Sequence, residues 1–285
     1  MSPVGANVPR MSTLRILHLS DTHLLGDADA RHNGIDTTAA LERVLERAAG
    51  VAGIGLVVAS GDLAEDGSVA AYEKLRERVD AFAAARGAQA AYVMGNHDLR
   101  AGFEQVLGPR EGVLDVDGFR VIRLDSSVPG RGYGELFPEQ LARLRDILAA
   151  PAEHGSIVVL HHAPVAAWTP LLRALELQRP DAVLAACGAG DVRLVLAGHY
   201  HHPVATVAAG IPVIVAPGVT NTTDVAPPPG HERASAGSGF ALIDVPASGE
   251  PAATFVTAPA PGDGRLLFDM DPARVATIAA EYGVG

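Results

Sequence analysis

Histidine, aspartate and asparagine recur in five short clusters. These are Asp21-Thr22-His23, Gly61-Asp62, Gly95-Asn96-His97-Asp98, His161-His162 and Gly198-His199-Tyr200-His201. Each alone has an ordinary explanation. Asp and Asn fit turn geometry, Gly-Asn is itself a turn signal, and a single histidine is commonly a hydrogen-bonded core residue. Together they offer carboxylates, imidazoles and an amide oxygen, a donor set that suits hard or borderline divalent cations. Gly-His-x-His is the most specific of the five, because two imidazoles at i and i+2 in a turn can reach neighbouring ions. His162 and His202 are read as pointing away from the target of the residues beside them. His18 reads as a core histidine within a strand, and His32 and His231 as loop residues open to a substrate contact.

Each cluster follows a short apolar run. RILHLS (15–20), IGLVVAS (54–60), AAYVM (90–94), IVVL (157–160) and VRLVLA (192–197) read as buried strands, with FRVIRL (119–124) as another. Binding groups gather at the carboxyl ends of strands in open α/β sheets, and five such coincidences of residue type and place exceed what turn chemistry explains. Between the early strands, Leu41, Val44, Leu45 and Ala48 repeat at helical spacing after Asp36. Tyr72, Leu75, Val79 and Phe82 do so after Ser68, with Gly87 as a stop, and Pro138 suits a first helical position before Leu141, Leu144 and Leu148. Strand–helix alternation implies a largely parallel sheet in the first half. From Val192 onward, VRLVLA, IPVIVA, GFALIDV and ATFVTA are read as an antiparallel meander, and 219–238 as a long loop rich in Pro, Gly, Ser and Thr. The tail from Ala258 ends in a short helix with Asp271 as cap and Pro272 in its first turn. Two mixed sheets packed face to face with helices outside are expected.

The chain carries 22 Lys+Arg against 33 Asp+Glu, a formal net charge of −11. No basic stripe is present of the kind a phosphate-backbone binder uses, so a long nucleic acid is not an expected partner. No apolar run approaches the ~18 residues of a membrane span. Residues 1–12 contain no apolar signal segment and are expected to form a flexible N-terminus. The single cysteine, Cys187, excludes an internal disulfide and is compatible with a reducing, cytoplasmic location.

The ordered series D-x-H, G-D, G-N-H-D, H and G-H-x-H resembles that of the calcineurin-like metallophosphoesterases. LHLSDTHLLG, SGDLAEDG, AAYEKLR, VMGNHD, RLDSSVPG, LHHAPV, LAGHYHH and GIPVIVAPG resemble most the bacterial class III cyclic-nucleotide phosphodiesterases, over roughly residues 14–245. The resemblance implies an α/β fold, a four-layer αββα sandwich, with a catalytic domain at 13–257 and a C-terminal extension at 258–285. It implies two metal ions, Mn, Fe or Zn, divalent or of mixed valence. Asp21, His23, Asp62 and His201 would hold one; Asp62, Asn96, His161 and His199 would hold the other, with Asp62 bridging. His97 would protonate the leaving oxygen and Asp98 would orient its ring. Asn96, His97 and His201 would touch substrate.

The implied activity is hydrolysis of a small phosphodiester, 3',5'-cyclic AMP to AMP, by in-line attack of a metal-bound hydroxide. A broader action on 2',3'-cyclic nucleotides or glycerophosphodiesters is the alternative, and a non-catalytic metal-stabilised binding module a further one. Two departures narrow the subclass. Glu65 stands where purple acid phosphatases place a tyrosine ligand three residues after the bridging Asp. The arginine that follows Gly-Asp in Ser/Thr protein phosphatases is absent, which disfavours gripping a dianionic monoester. Base recognition is expected from the loops at 24–34, 164–170 and 219–238, with Asn33, Trp168 and His231 as first candidates. A homodimer is compatible with the resemblance.

Overall fold

Alternation along the apolar runs decides the layering. In the computed structural model, which describes residues 13–284, the chain forms in order β1 (Thr13–Leu19), α1 (Thr37–Ala48), β2 (Ile54–Ser60), α2 (Val69–Ala84), β3 (Gln89–Val93), α3 (Arg100–Leu107), β4 (Gly112–Val116) and β5 (Phe119–Arg123). There follow β6 (Gly134–Glu135), α4 (Pro138–Leu148), β7 (Ser156–Val159), α5 (Pro170–Ala174), β8 (Leu177–Gln178), α6 (Pro180–Gly188), β9 (Val192–Ala197), β10 (Val204–Ala208), β11 (Ile211–Val215), β12 (Asn221–Thr223), β13 (Glu232–Ala236), β14 (Gly239–Pro246), β15 (Ala252–Thr257), β16 (Leu266–Met270) and α7 (Pro272–Tyr282). The flexible terminus expected at 1–12 lies outside the described residues.

One sheet runs β15-β14-β1-β2-β3 and the other β10-β11-β9-β7-β5-β4. Side chains alternate across each strand. Leu14 and Ile16 of β1 therefore face the second sheet, where they pack with Val121, Ile157, Val159, Leu194 and Leu196. Leu17 and Leu19 face outward onto Leu41, Val44, Tyr72 and Leu75 of α1 and α2. On the far side, Ile122, Val158 and Val195 pack on Leu144 of α4 and on Val183 and Cys187 of α6. The result is a four-layer αββα sandwich of mixed sheets. Asp36 and Ser68 cap α1 and α2, accepting from the backbone N–H of Ala39 and Ala71. Asp271 caps α7 in the same way, from Arg274. No helix among the described residues is long and apolar enough to cross a membrane.

The second half departs from a meander. β9 and β11 are parallel neighbours in the second sheet, whereas β14 and β15 form an antiparallel hairpin in the first. The edge strand β10 between β9 and β11 makes the return possible; its short, exposed side chains hide it from a hydrophobic pattern. The segment 219–238 is not one loop. β12 and β13 lie within it, paired Asn221 to Ala236 and Thr223 to Ala234, and β13 pairs with β16. Small alternating Ala and Ser side chains build β13, and only the turn between these strands is Pro/Gly-rich. The segment beyond 257 is joined to the body through β16, and α7 packs against α5.

Ile157 has no solvent exposure and lies between the two sheets. Ile157→Ala is expected to lower stability to urea by about 2–5 kcal/mol; a loss below about 1 kcal/mol would contradict its place between the sheets.

Candidate metal centre

Parallel strands bring the five clusters to one edge of the sandwich. β1, β2 and β3 deliver Asp21, Asp62 and Asn96 just past their carboxyl ends, and β7 and β9 deliver His161 and His199 from the facing sheet. The turns that aim these groups are strained. Asp21, His23, Asp62, His199 and His201 adopt φ of 55, 43, 49, 73 and 53°, a left-handed region costly for residues with a Cβ. Glycines give them room: a methyl on Gly61 would overlap the His161 ring, and one on Gly95 would overlap the Asp62 carboxylate and backbone nitrogen.

Ligand atoms of Asp21, His23, Asp62 and His201 lie within 4.8 Å of one another. His23 Nδ1 donates to Glu65 Oε2 at 2.7 Å, which leaves Nε2 as a lone pair. That Nε2 faces His201 Nε2 at 3.2 Å and Asp62 Oδ2 at 3.8 Å, and His201 Nε2 lies 3.4 Å from Asp21 Oδ1. Next to this group, His161 Nδ1 donates to the Ser60 carbonyl at 2.8 Å. Its Nε2 therefore points a lone pair at Asp62 Oδ2, 3.3 Å away, and is buried without a hydrogen-bond partner. His199 Nε2 donates to the Leu175 carbonyl, freeing Nδ1. The Asn96 side-chain oxygen is buried and unpartnered as well. Acceptors facing acceptors in a buried site call for a cation between them, so these residues fit a pair of metal ions on either side of Asp62.

The electrostatics agree. Burial alone would push the Asp62 carboxyl up, but His161 and His97 beside it hold it well below the usual carboxylate range. Burial likewise pushes Asp21 up, to about 6. His161 would be lowered by burial, yet Asp62 raises it to about 9. Without metal, a proton takes the cation's place.

Several neighbours do not behave as sequence adjacency suggests. Asp98, expected to orient His97, accepts from the backbone N–H of Leu63, Ala64 and Gly95 and so ties the Gly61-Asp62 turn to the Gly95-Asn96 turn. The partner of His97 is Glu65, whose Oε2 lies 3.0 Å from its Nδ1. Glu65 also reaches His32 at 3.5 Å, and the three histidines keep it ionised against its burial. Nothing in the sequence near Glu65 signals this; it takes meaning only when three distant histidines converge on it. His162 lies close to His161 and His199, but both its nitrogens are occupied, by the Ser126 hydroxyl and the Gly132 carbonyl. His202 bonds the Tyr200 carbonyl, and His18 is a buried partner of Ser60. Asn33 lines the cavity above the centre, while Trp168 is exposed and His231 pairs with Asp269 away from it.

A family profile described as calcineurin-like phosphoesterase matches residues 14–203. The chain belongs to the calcineurin-like phosphoesterase family. It is 38% identical over 240 residues to a cAMP/cGMP dual specificity phosphodiesterase of Mycobacterium tuberculosis, covering 81% of this chain and 75% of that one. It is 33% identical over 195 residues to a 3',5'-cyclic adenosine monophosphate phosphodiesterase of Pseudomonas aeruginosa, covering 67% and 70%. Its fold matches that of a purple acid phosphatase from yellow lupin seeds, with a TM-score of 0.60 and 14% identity over 94% of this chain and 55% of that one. The family works with metal ions, and the grouped Asp and His side chains of this member could hold them.

Metal and proton compete for the same lone pairs. Since the His161 proton must leave, Mn2+ binding measured by calorimetry is expected to release protons at pH 7 and to tighten as pH rises from 6 towards 9. An affinity independent of pH would contradict this arrangement.

Proposed function

We propose that this chain is a metal-dependent phosphodiesterase that hydrolyses a small cyclic nucleotide, 3',5'-cyclic AMP, to the 5'-monophosphate. The observation that carries the reading is Asp62, a buried carboxylate flanked on one side by Asp21, His23 and His201 and on the other by His161. One ion would be held by Asp21, His23, Asp62 and His201, and a second by Asp62, Asn96, His161 and His199. Bound there, two divalent ions supply a water of lowered pKa and charge neutralisation on the phosphoryl oxygens. The names of the mycobacterial and Pseudomonas relatives support the cyclic-nucleotide substrate.

Asp21 and Asp62 are the only anions among these donors, so the loaded centre keeps positive charge. That local charge attracts an anionic diester to a chain whose net charge is −11. A cavity of about 220 Å³ opens over the centre, and His97 and His201 line it. His97 is partly exposed at its rim, edge-on to His23 with ring centroids 4.9 Å apart. With Nδ1 turned to Glu65, the His97 Nε2 is the atom that faces substrate. Burial would lower this imidazole, but Asp62 and Glu65 raise it to about 10, so it is protonated at neutral pH. As the bond from phosphorus to O3' breaks, His97 Nε2 gives its proton to that oxygen, and the attacking water's oxygen completes the 5'-phosphate. Asn96 and His201 complete the phosphate contacts.

Mn2+-loaded protein is expected to turn over cyclic AMP and bis(p-nitrophenyl) phosphate faster than p-nitrophenyl phosphate; turnover of the monoester alone would overturn the diesterase reading. Substrate panels that include 2',3'-cyclic nucleotides and glycerophosphodiesters decide the natural class. His97→Ala should lower kcat on cyclic AMP by about 10²–10⁴-fold while metal content, measured by elemental analysis, stays at the wild-type value. Glu65→Gln removes the charge that raises His97, so the alkaline limb of the pH–rate profile should move to lower pH. A profile unmoved by this change would separate Glu65 from His97.

A further inference from the structure

The cavity has two unlike ends. One is the imidazole and carboxylate centre. The other is apolar, walled by Phe268 and Met270 of β16 and by Leu171, Leu172 and Leu175 in and after α5. Glu232 of β13 lies at this apolar end, directly opposite Met270 in the strand pairing. It is 3% exposed, and its Oε2 has no hydrogen-bond partner. Thr169 and the backbone N–H of Leu171 lie beside its carboxylate and oppose the effect of burial on it.

A buried carboxylate oxygen left unpaired among leucine, phenylalanine and methionine is costly to keep. Burial accordingly pushes the Glu232 carboxyl up, to about 7. The cost falls when a ligand brings an N–H group to that oxygen. The ligand that suits both ends is anionic at one, flat and apolar at the other, and carries a hydrogen-bond donor on the edge of its flat part.

We propose that Glu232 is a specificity-determining residue that accepts a hydrogen bond from the exocyclic amine of a purine base seated between the β16 and α5 walls. The proposal rests on the cyclic-nucleotide reading above. It gives the segment beyond 257 a share in recognition, since Phe268 and Met270 belong to it. The acceptor falls within 219–238, a segment expected to recognise the base, but on strand β13 and not in a loop: β13 and β16 form a sheet face where the sequence reads as loop and tail.

Glu232→Gln tests this with little disturbance of the fold. The Gln side-chain oxygen can still face Thr169 and Leu171, while its NH2 puts a donor where the free acceptor was. Adenine offers an amine at position 6 and hypoxanthine a carbonyl oxygen there. Calorimetric binding of AMP and of inosine 5'-monophosphate to Mn2+-loaded protein is the first readout. The wild type is expected to favour AMP, and Glu232→Gln to lower the AMP-to-IMP affinity ratio by at least about tenfold, the scale of one hydrogen bond to a charged group. The ratio of kcat/KM for cyclic AMP to that for cyclic IMP should fall in parallel. An equal ratio in both proteins would overturn the proposal and leave Glu232 as a clamp between β13 and α5. Failure to hydrolyse either cyclic nucleotide would refute the proposed reaction, and the AMP-to-IMP binding ratio would still decide base recognition.

Discussion

Asp62 is an anion that the protein buries among lone pairs. His161 Nε2 stands 3.3 Å from it, His23 Nε2 3.8 Å, and the imidazole hydrogens of both rings point outward, to Ser60 and Glu65. Such a cluster of acceptors is stable only with positive charge inside it. At the level of the apo protein that charge is protonic, which is why His161 and His97 are raised while Asp62 is held low. The demand for a cation is thus built into the folded chain, and the outer hydrogen bonds of the histidines fix which nitrogen answers it.

The scaffold meets that demand at a cost in local strain. Five functional side chains sit on left-handed backbone, and they are kept there by bonds between neighbouring turns of one sheet and by others that reach across to the second. Asp21 N–H donates to the Gly61 carbonyl, His23 N–H to that of Asp62, and the Thr220 hydroxyl to the carbonyl oxygens of Asp21 and Thr22. His199 N–H reaches back to the Asp21 carboxylate at 3.2 Å. Asp98, buried and raised to about 6 chiefly by that burial, holds two of the turns together through three backbone N–H groups. A site whose aim depends on strained turns needs rigid strands behind it, and the continuous apolar runs of β1, β2, β7 and β9 provide them.

Much of this was legible in the chain because its signals are local. A buried strand followed by Asp, Asn or His is visible in a few residues, and parallel sheets bring such ends together. The helices α1, α2 and α4 announce themselves by caps and spacing. What stayed hidden needs three dimensions. Asp98 follows His97 in sequence, yet its side chain turns to backbone, whereas Glu65, thirty-odd residues away, takes the ring. His161 and His162 look alike; only the Ser126 and Gly132 contacts show that the second has no lone pair to spare. β12 and β13 are made of small or polar residues without a hydrophobic period, and β16 is a five-residue, mostly apolar run inside a Pro/Gly-rich tail, so a wall of the cavity read as loop and tail.

The central claim is that two cations flank one shared carboxylate. Anomalous X-ray scattering from crystals of the Mn2+-loaded protein tests it most directly. The account predicts two peaks on either side of Asp62, about 3.5–4 Å apart, one bounded by Asp21, His23 and His201 and the other by Asn96, His161 and His199. A single peak, or peaks that leave Asp62 outside their coordination, would contradict it.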